Sequence, residues 1–251
     1  MLIDSHCHVL SSEYENVDEI IKKSFKNGVD KLIINGYNLE TSKEAVYLAN
    51  KYNNVYAAVG IGPENIDDVS EYTIDEIKKL ADNKKTVAIG EIGLDYYWTD
   101  KNKEMQIKIF NKMLKIAELK KLPIIVHNRN ATNDIYNILK EKKITGIIHC
   151  FSGGINIAND FIQLGFLIGI GGVVTFKNSN KLKDVVKSIP LSCISLETDS
   201  PYLTPEPYRG KKNEPSKIIY IAKKIAELKN TNLNDVLSVT SNSLISKFDL
   251  K

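Results

Sequence analysis

HCHVLSSEYEN, residues 6–16, follows the apolar opening MLIDS, and no glycine interrupts it. That absence separates two folds. A doubly wound open sheet that cradles a dinucleotide carries a glycine-rich phosphate turn straight after its first strand, whereas this chain places two histidines and a polar loop there. Outward from this point the chain repeats one pattern. Short, nearly all-apolar runs closed by turn residues appear eight times: MLIDSHC, KLIING, VYAAVGIG, TVAIGEIG, LPIIVH, TGIIHC, GFLIGIGG and CISLETD. Such runs suit strands covered on both faces, as in a parallel sheet, better than the strict alternation of a half-exposed one. Helical stripes lie between them. Ala45, Leu48, Ala49 and Tyr52 form one, and Ile218, Ala222, Ile225 and Ala226 form another. The runs begin near residues 2, 31, 55, 86, 122, 145, 165 and 193, 20 to 36 residues apart, which is the room that a strand, a helix and two loops need. Eight such units without a proline-rich or low-complexity boundary predict an α/β chain folded as a single (β/α)8 TIM barrel domain over residues 1–251.

Composition narrows the function classes. With 34 Lys+Arg against 31 Asp+Glu the net charge is +3, too small for a general polyanion coat. Any anionic substrate must therefore be met by local charge. No run of about 18 apolar residues exists, and the N-terminus lacks the basic-then-apolar pattern of a secretory signal. The expectation is a soluble cytoplasmic protein with no membrane role and no obligate protein partner. Three cysteines, Cys7, Cys150 and Cys193, form an odd set that speaks against a disulfide framework.

The histidines are scarce and placed alike. In a (β/α)8 barrel the C-terminal strand ends converge on one mouth. His6 and His8 close the first run, His127 the fifth and His149 the sixth, so all four histidines of the chain belong at that end. Glu91 in GEIGLDY and Asp199 in ETDSPYL end the fourth and eighth runs. Strand residues two apart share a face, so His6 and His8 can grip one ion while Cys7 between them points away. The same alternation separates Cys150 from His149, and both thiols read as packing residues. Four imidazoles and two carboxylates exceed what one ion needs if positions are to stay open for water and substrate, whereas two ions bridged by a carboxylate would use them all. The mixed nitrogen and oxygen donors suit Zn, Mn, Ni or Fe, and Mg where solvent completes the shell, so they do not name the metal; Mg, Mn and Zn are carried forward.

At these residues the chain resembles the TatD family of metal-dependent nucleases, within the amidohydrolase superfamily. The similarity runs the whole length and rests on DSHCH, GEIGLDY, VHNR, HCFSG and ETDSPYLTPEPYRGKKNEP, in order. The resemblance implies that His6, His8 and Asp199 hold one divalent ion, that His127 and His149 hold the other, and that Glu91 bridges them. It implies a hydrolase of phosphodiester bonds, typically a 3′-to-5′ exonuclease on DNA, with RNA cleavage and D-aminoacyl-tRNA deacylation attributed to relatives. Asp199 and Glu91 are then the catalytic pair, Asp199 orienting and deprotonating the attacking water. Two departures stand out. Gly62 in GIGPEN occupies a position that is commonly histidine in the family, and Asn130 in HNRN one that is commonly aspartate.

Phosphate contact would come from the chain's two arginines, Arg129 after the fifth run and Arg209 after the eighth, since a planar guanidinium fork suits phosphate oxygens. Lys211 and Lys212 add local charge beside Arg209. Ser152, Tyr202 and Asn213, all within the shared motifs, complete the expected substrate contacts. Tyr96, Tyr97 and Trp98 could stack on a terminal base or pack beneath their loop. Two other functions compete: an ester or amide hydrolase acting on a substrate such as D-aminoacyl-tRNA, and a noncatalytic, metal-stabilised nucleic-acid binder.

Overall fold

The computed structural model describes residues 1–67, 69–97 and 102–251. The eight apolar runs are eight parallel strands: β1 (Ile3–Cys7), β2 (Lys31–Asn35), β3 (Val55–Val59), β4 (Thr86–Asp95), β5 (Ile124–Arg129), β6 (Gly146–Ile148), β7 (Leu167–Ile170) and β8 (Ile194–Leu196). The sheet order is β1-β2-β3-β4-β5-β6-β7-β8. Helices α1 (Val17–Lys26), α2 (Leu39–Lys51), α3 (Glu71–Leu80), α4 (Lys103–Lys120), α5 (Thr132–Leu139), α6 (Ile155–Gln163), α7 (Asn180–Ser188) and α8 (Ile218–Lys229) follow the strands one by one. The fold is thus a (β/α)8 barrel. Among the described residues one helix exceeds the repeat: α9 (Leu233–Phe248) continues the chain after α8. No helix among the described residues is long and apolar enough to cross a membrane.

Two compact units make up the chain, Met1–Ile34 with His149–Lys251, and Asn35–Ile148. In the first, β1 pairs with β2 and β7 with β8, and β8 returns to β1. That return is made by hydrogen bonds: Ser5 Oγ donates to Leu196 O (2.9 Å), Asp199 N to His6 O (2.9 Å) and His8 N to Ser200 O (2.8 Å). Between Asp4 and Cys7 the β1 register slips, three steps on β1 against two on β2, which is a bulge at Ser5 and His6. Ile33, Ile168, Ile170, Ile194 and the α8 stripe of Ile218, Ile221, Ala222 and Ile225 fill this unit's core. The opening stretch ends in a helix cap, because Asn16 Oδ1 accepts from Glu19 N at 3.1 Å and starts α1.

In the second unit β3, β4, β5 and β6 pair in turn. Ala57, Ala58, Val59, Ala88, Ile89, Ile125, Val126 and Ile147 are fully buried there under Met113 and Leu114 of α4, which explains why these strands read as unbroken apolar runs. Helix α2 begins at a capping box in which Asn38 Oδ1 accepts from Thr41 N and Thr41 Oγ1 from Asn38 N. Strand β4 outlasts the sequence expectation by two residues. Its register against β5 runs from Ile89↔Ile124 to Ile92↔Val126, again three steps against two, and then continues through Gly93↔His127 to Asp95↔Arg129. Glu91 therefore sits within β4, at a bulge, and does not end the strand.

Candidate metal centre

In the first unit, β1 and β8 bring two imidazoles onto one carboxylate. The Nε2 atoms of His6 and His8 lie 3.0 Å apart, and Asp199 Oδ1 is 3.5 Å from the first and 3.7 Å from the second. Donors about 2.1 Å from a common ion stand about 3.0–3.4 Å from one another, so this triangle has the size of one face of a coordination shell. The donor chemistry, nitrogen and carboxylate oxygen, suits a divalent cation as well. Asp199 holds its place at φ +51°, a left-handed conformation that aspartate tolerates better than most residues, and local backbone strain of this kind is common where a side chain must be aimed. Burial alone would push its carboxyl up. The hydrogen bond from His6 and the charges of His149, His6 and His8 outweigh burial and hold it below the usual carboxylate range.

His149 directly follows β6 and stacks on His6, with ring centroids 3.9 Å apart and planes 13° from parallel. Behind it lies Glu197, fully buried, its Oε1 accepting from Cys150 N at 2.5 Å and standing 4.0 Å from His149 Nδ1. Only glycine fits beside that carboxylate, because a Cβ on Gly169 would come within 2.5 Å of Glu197 Oε2. Asp4 is the tie between the strands. Its oxygens accept from Thr198 N (2.9 Å) and Thr198 Oγ1 (2.6 Å), and burial raises its pKa to about 7 against those bonds. Cys7 turns from the histidines to donate to Ile33 O at 3.5 Å, and burial pushes its thiol up, as a packing residue requires.

In the second unit the arrangement is reversed, with one imidazole between two carboxylates. His127 Nδ1 lies 2.8 Å from Glu91 Oε1, and His127 Nε2 lies 2.9 Å from Asp95 Oδ2. Burial disfavours the imidazolium, but the bonds to Asp95 and Glu91 prevail and raise its pKa to about 10. Asp95 is drawn below its ordinary value by His127, the Tyr97 N–H and Arg129, against burial. Asp95, Glu197 and Asp4 are not among the residues expected at the site from the sequence. The signal was available, since Glu91, Gly93 and Asp95 share one side of an extended strand and Glu197 lies two residues before Asp199.

The expected substrate contacts divide. Arg129 is exposed and lies on the Tyr97 ring, 3.7 Å from its centroid, and Tyr97 itself is 53% exposed. Tyr96 instead packs, donating to Asp134 Oδ2 at 2.9 Å beneath Lys103. Trp98 lies outside the described residues. In the first unit Arg209 is exposed over Phe176 (4.3 Å), Ser152 and Lys211 are exposed, and Tyr202 is exposed with its hydroxyl 3.3 Å from Glu13 Oε1. Lys212 donates to Glu13 O and covers Tyr14. Asn213 contradicts its expected role. Fully buried, it donates to Thr198 O (2.9 Å) and Tyr202 O (2.7 Å) and accepts from Glu214 N, so its amide clasps the loop, with both N–H donors taken and the side chain closed off from solvent. Gly62 has extended backbone with a virtual Cβ no closer than 3.4 Å to Tyr37 Cβ, and Asn130 adopts φ +56°.

The comparisons with known proteins agree with one another. The family model described as TatD related DNase matches residues 3–249. The uncharacterized metal-dependent hydrolase YabD of Bacillus subtilis is 40% identical over 245 residues, covering 96% of each chain. The uncharacterized metal-dependent hydrolase YcfH of Escherichia coli K12 is 34% identical over 256 residues, covering 99% of this chain and 96% of its own. Among solved structures, YjjV, a TatD homolog from Escherichia coli K12, superposes with a TM-score of 0.94 at 29% identity, over 100% of this chain and 98% of that one. A whole-length family match, relatives above the identity at which family is secure, and a cluster of His6, His149 and Asp199 able to hold a metal lead to one assignment: the chain belongs to the TatD related DNase family and is a metal-dependent hydrolase.

Proposed function

We propose that the chain is a cytoplasmic nuclease that hydrolyses phosphodiester bonds of DNA, releasing nucleotides from the 3′ end of single strands, with RNA as a second substrate. His6, His8 and Asp199 would hold one divalent ion, His127 and His149 a second, and Glu91 would bridge them. Mg, Mn and Zn each suit this nitrogen and oxygen set. Such ions, when bound, lower the pKa of water and offset charge on the phosphoryl oxygens. Asp199, kept ionised beside His6 and His8, is the proton acceptor that orients the attacking water and returns a proton to the leaving oxygen. The observation that carries the phosphodiester reading is Arg129, an exposed guanidinium two residues beyond His127 on β5, with its Cζ over the Tyr97 ring at 3.7 Å from the centroid. A planar fork held by an aromatic ring is suited to a backbone phosphate.

The test is to incubate the pure protein with 3′- and 5′-labelled single strands of DNA and RNA in Mg, Mn or Zn. Stepwise shortening from the 3′ end is expected, and Arg129→Ala should raise KM for DNA and lower the salt slope of binding by about one. No cleavage in any condition, with D-aminoacyl-tRNA hydrolysed instead, would overturn the nuclease reading in favour of a carbonyl ester substrate.

A further inference from the structure

We infer that Asp95 is the positioning residue of the second cluster: it fixes the His127 ring so that Nε2 carries the proton and Nδ1 is the nitrogen offered to a metal. This rests on the metal reading of His127 given above.

The geometry begins with how closely two strands approach. Gly93 pairs with His127 in the β4–β5 register, at φ +147°, and a Cβ there would fall 2.0 Å from His127 O. Only glycine lets the strands meet so closely, and that approach brings Glu91 and Asp95, on either side of Gly93, to opposite nitrogens of one ring. Glu91 Oε1 faces Nδ1 at 2.8 Å and Asp95 Oδ2 faces Nε2 at 2.9 Å. The two carboxylates are not equivalent. Asp95 is anchored three further ways: its Oδ1 accepts from Tyr97 N (2.9 Å), its backbone N–H donates to Gln106 Oε1 (2.8 Å), and its carbonyl accepts from Gln106 Nε2 (2.9 Å). Gln106 is itself buried on α4, so the anchor belongs to the helix layer.

An ionised carboxylate only accepts hydrogen bonds. Each carboxylate therefore asks for a ring proton, Glu91 on Nδ1 and Asp95 on Nε2; a divalent ion would take the place of the Nδ1 proton beside Glu91, while Asp95, fixed by Tyr97 and Gln106, keeps the proton on Nε2. A carboxylate behind a ligating imidazole sets the tautomer and the ring orientation, and its loss commonly lowers metal affinity by about 10–100-fold. The isosteric variant makes a sharp test. In Asp95→Asn the single amide oxygen is claimed by Tyr97 N–H, so the NH2 group faces Nε2. Donor then meets donor, and the clash is relieved by moving the ring proton to Nδ1, where a metal would need the lone pair.

Two measurements with zinc alone as the ion decide the matter. Long-range proton–nitrogen NMR of the zinc-loaded wild-type protein should show His127 protonated on Nε2 and zinc-shifted on Nδ1; zinc on Nε2 would overturn the inference without recourse to any variant. Zinc titration of folded Asp95→Asn should show about 10–100-fold weaker binding of one ion. Wild-type affinity in that variant, its melting curve intact, would overturn the role of Asp95 while leaving the metal reading standing. Failure of the wild-type protein to take up zinc at His127 would overturn both.

Discussion

Two donor clusters in one chain use the same residue types in opposite proportion. At β1 and β8, His6 and His8 converge on the single carboxylate of Asp199, with a third imidazole, His149, stacked behind. At β4 and β5, the single imidazole of His127 lies between the carboxylates of Glu91 and Asp95. The nitrogen-rich cluster is aimed by a strained residue, Asp199 in the left-handed region, and by backbone bonds that lace β8 to β1. The carboxylate-rich cluster is aimed by strand contact at Gly93 and by Gln106 reaching in from a helix. One site is thus positioned by its loop, the other by its packing, and the two should respond differently to substitution.

The largest effect should fall on the first cluster. Asp199→Asn removes the proton acceptor and one anionic donor, and kcat should fall by about 10²–10⁴-fold in a protein that still melts cooperatively. Near-normal turnover would take Asp199 out of the chemistry. Next comes the loop that carries the cluster. Asn213→Ala removes the donor from the buried Thr198 carbonyl and the half-buried Tyr202 carbonyl, and should cost about 1–3 kcal/mol of stability in a denaturant titration. Unchanged stability with a raised KM would instead restore Asn213 to the substrate contacts. The smallest effect contrasts the clusters by pH in chelator-treated protein. His127 is raised from 6.5 to about 10, so its contribution to stability is complete below 6.5 and lost as pH rises through about 10. Asp199 is lowered, so its contribution is present above 3.8 and lost as pH falls through its folded value. Melting-temperature differences from wild type should therefore shrink on the alkaline side for His127→Asn and on the acid side for Asp199→Asn. The same trend in both variants would break the contrast.

The strands were legible because each is buried on both faces and so spells an apolar run, and the paired histidines because strand alternation is a property of the backbone. Where β4 ends was not legible. GEIG looks like a strand terminus, yet the bulge at Glu91 lets pairing resume through Asp95, and that continuation depends on β5. Asp95 escaped for the same reason, since its partner lies 32 residues away and is met only through the Gly93 approach. Helix α9 is rich in serine and asparagine, and it is held by burying Val236, Leu244 and Phe248, a tertiary gain that outweighs weak local preference. Asn213 misled because an asparagine in a basic loop reads the same whether it clasps backbone or meets phosphate.

The proposed chemistry requires that these two clusters hold two ions. Metal content of the purified protein after equilibration with zinc and removal of the excess tests it most directly. Two equivalents per chain are predicted for wild type, falling to one in Asp199→Asn and to one in His127→Asn. A wild-type protein saturating at a single equivalent would contradict it.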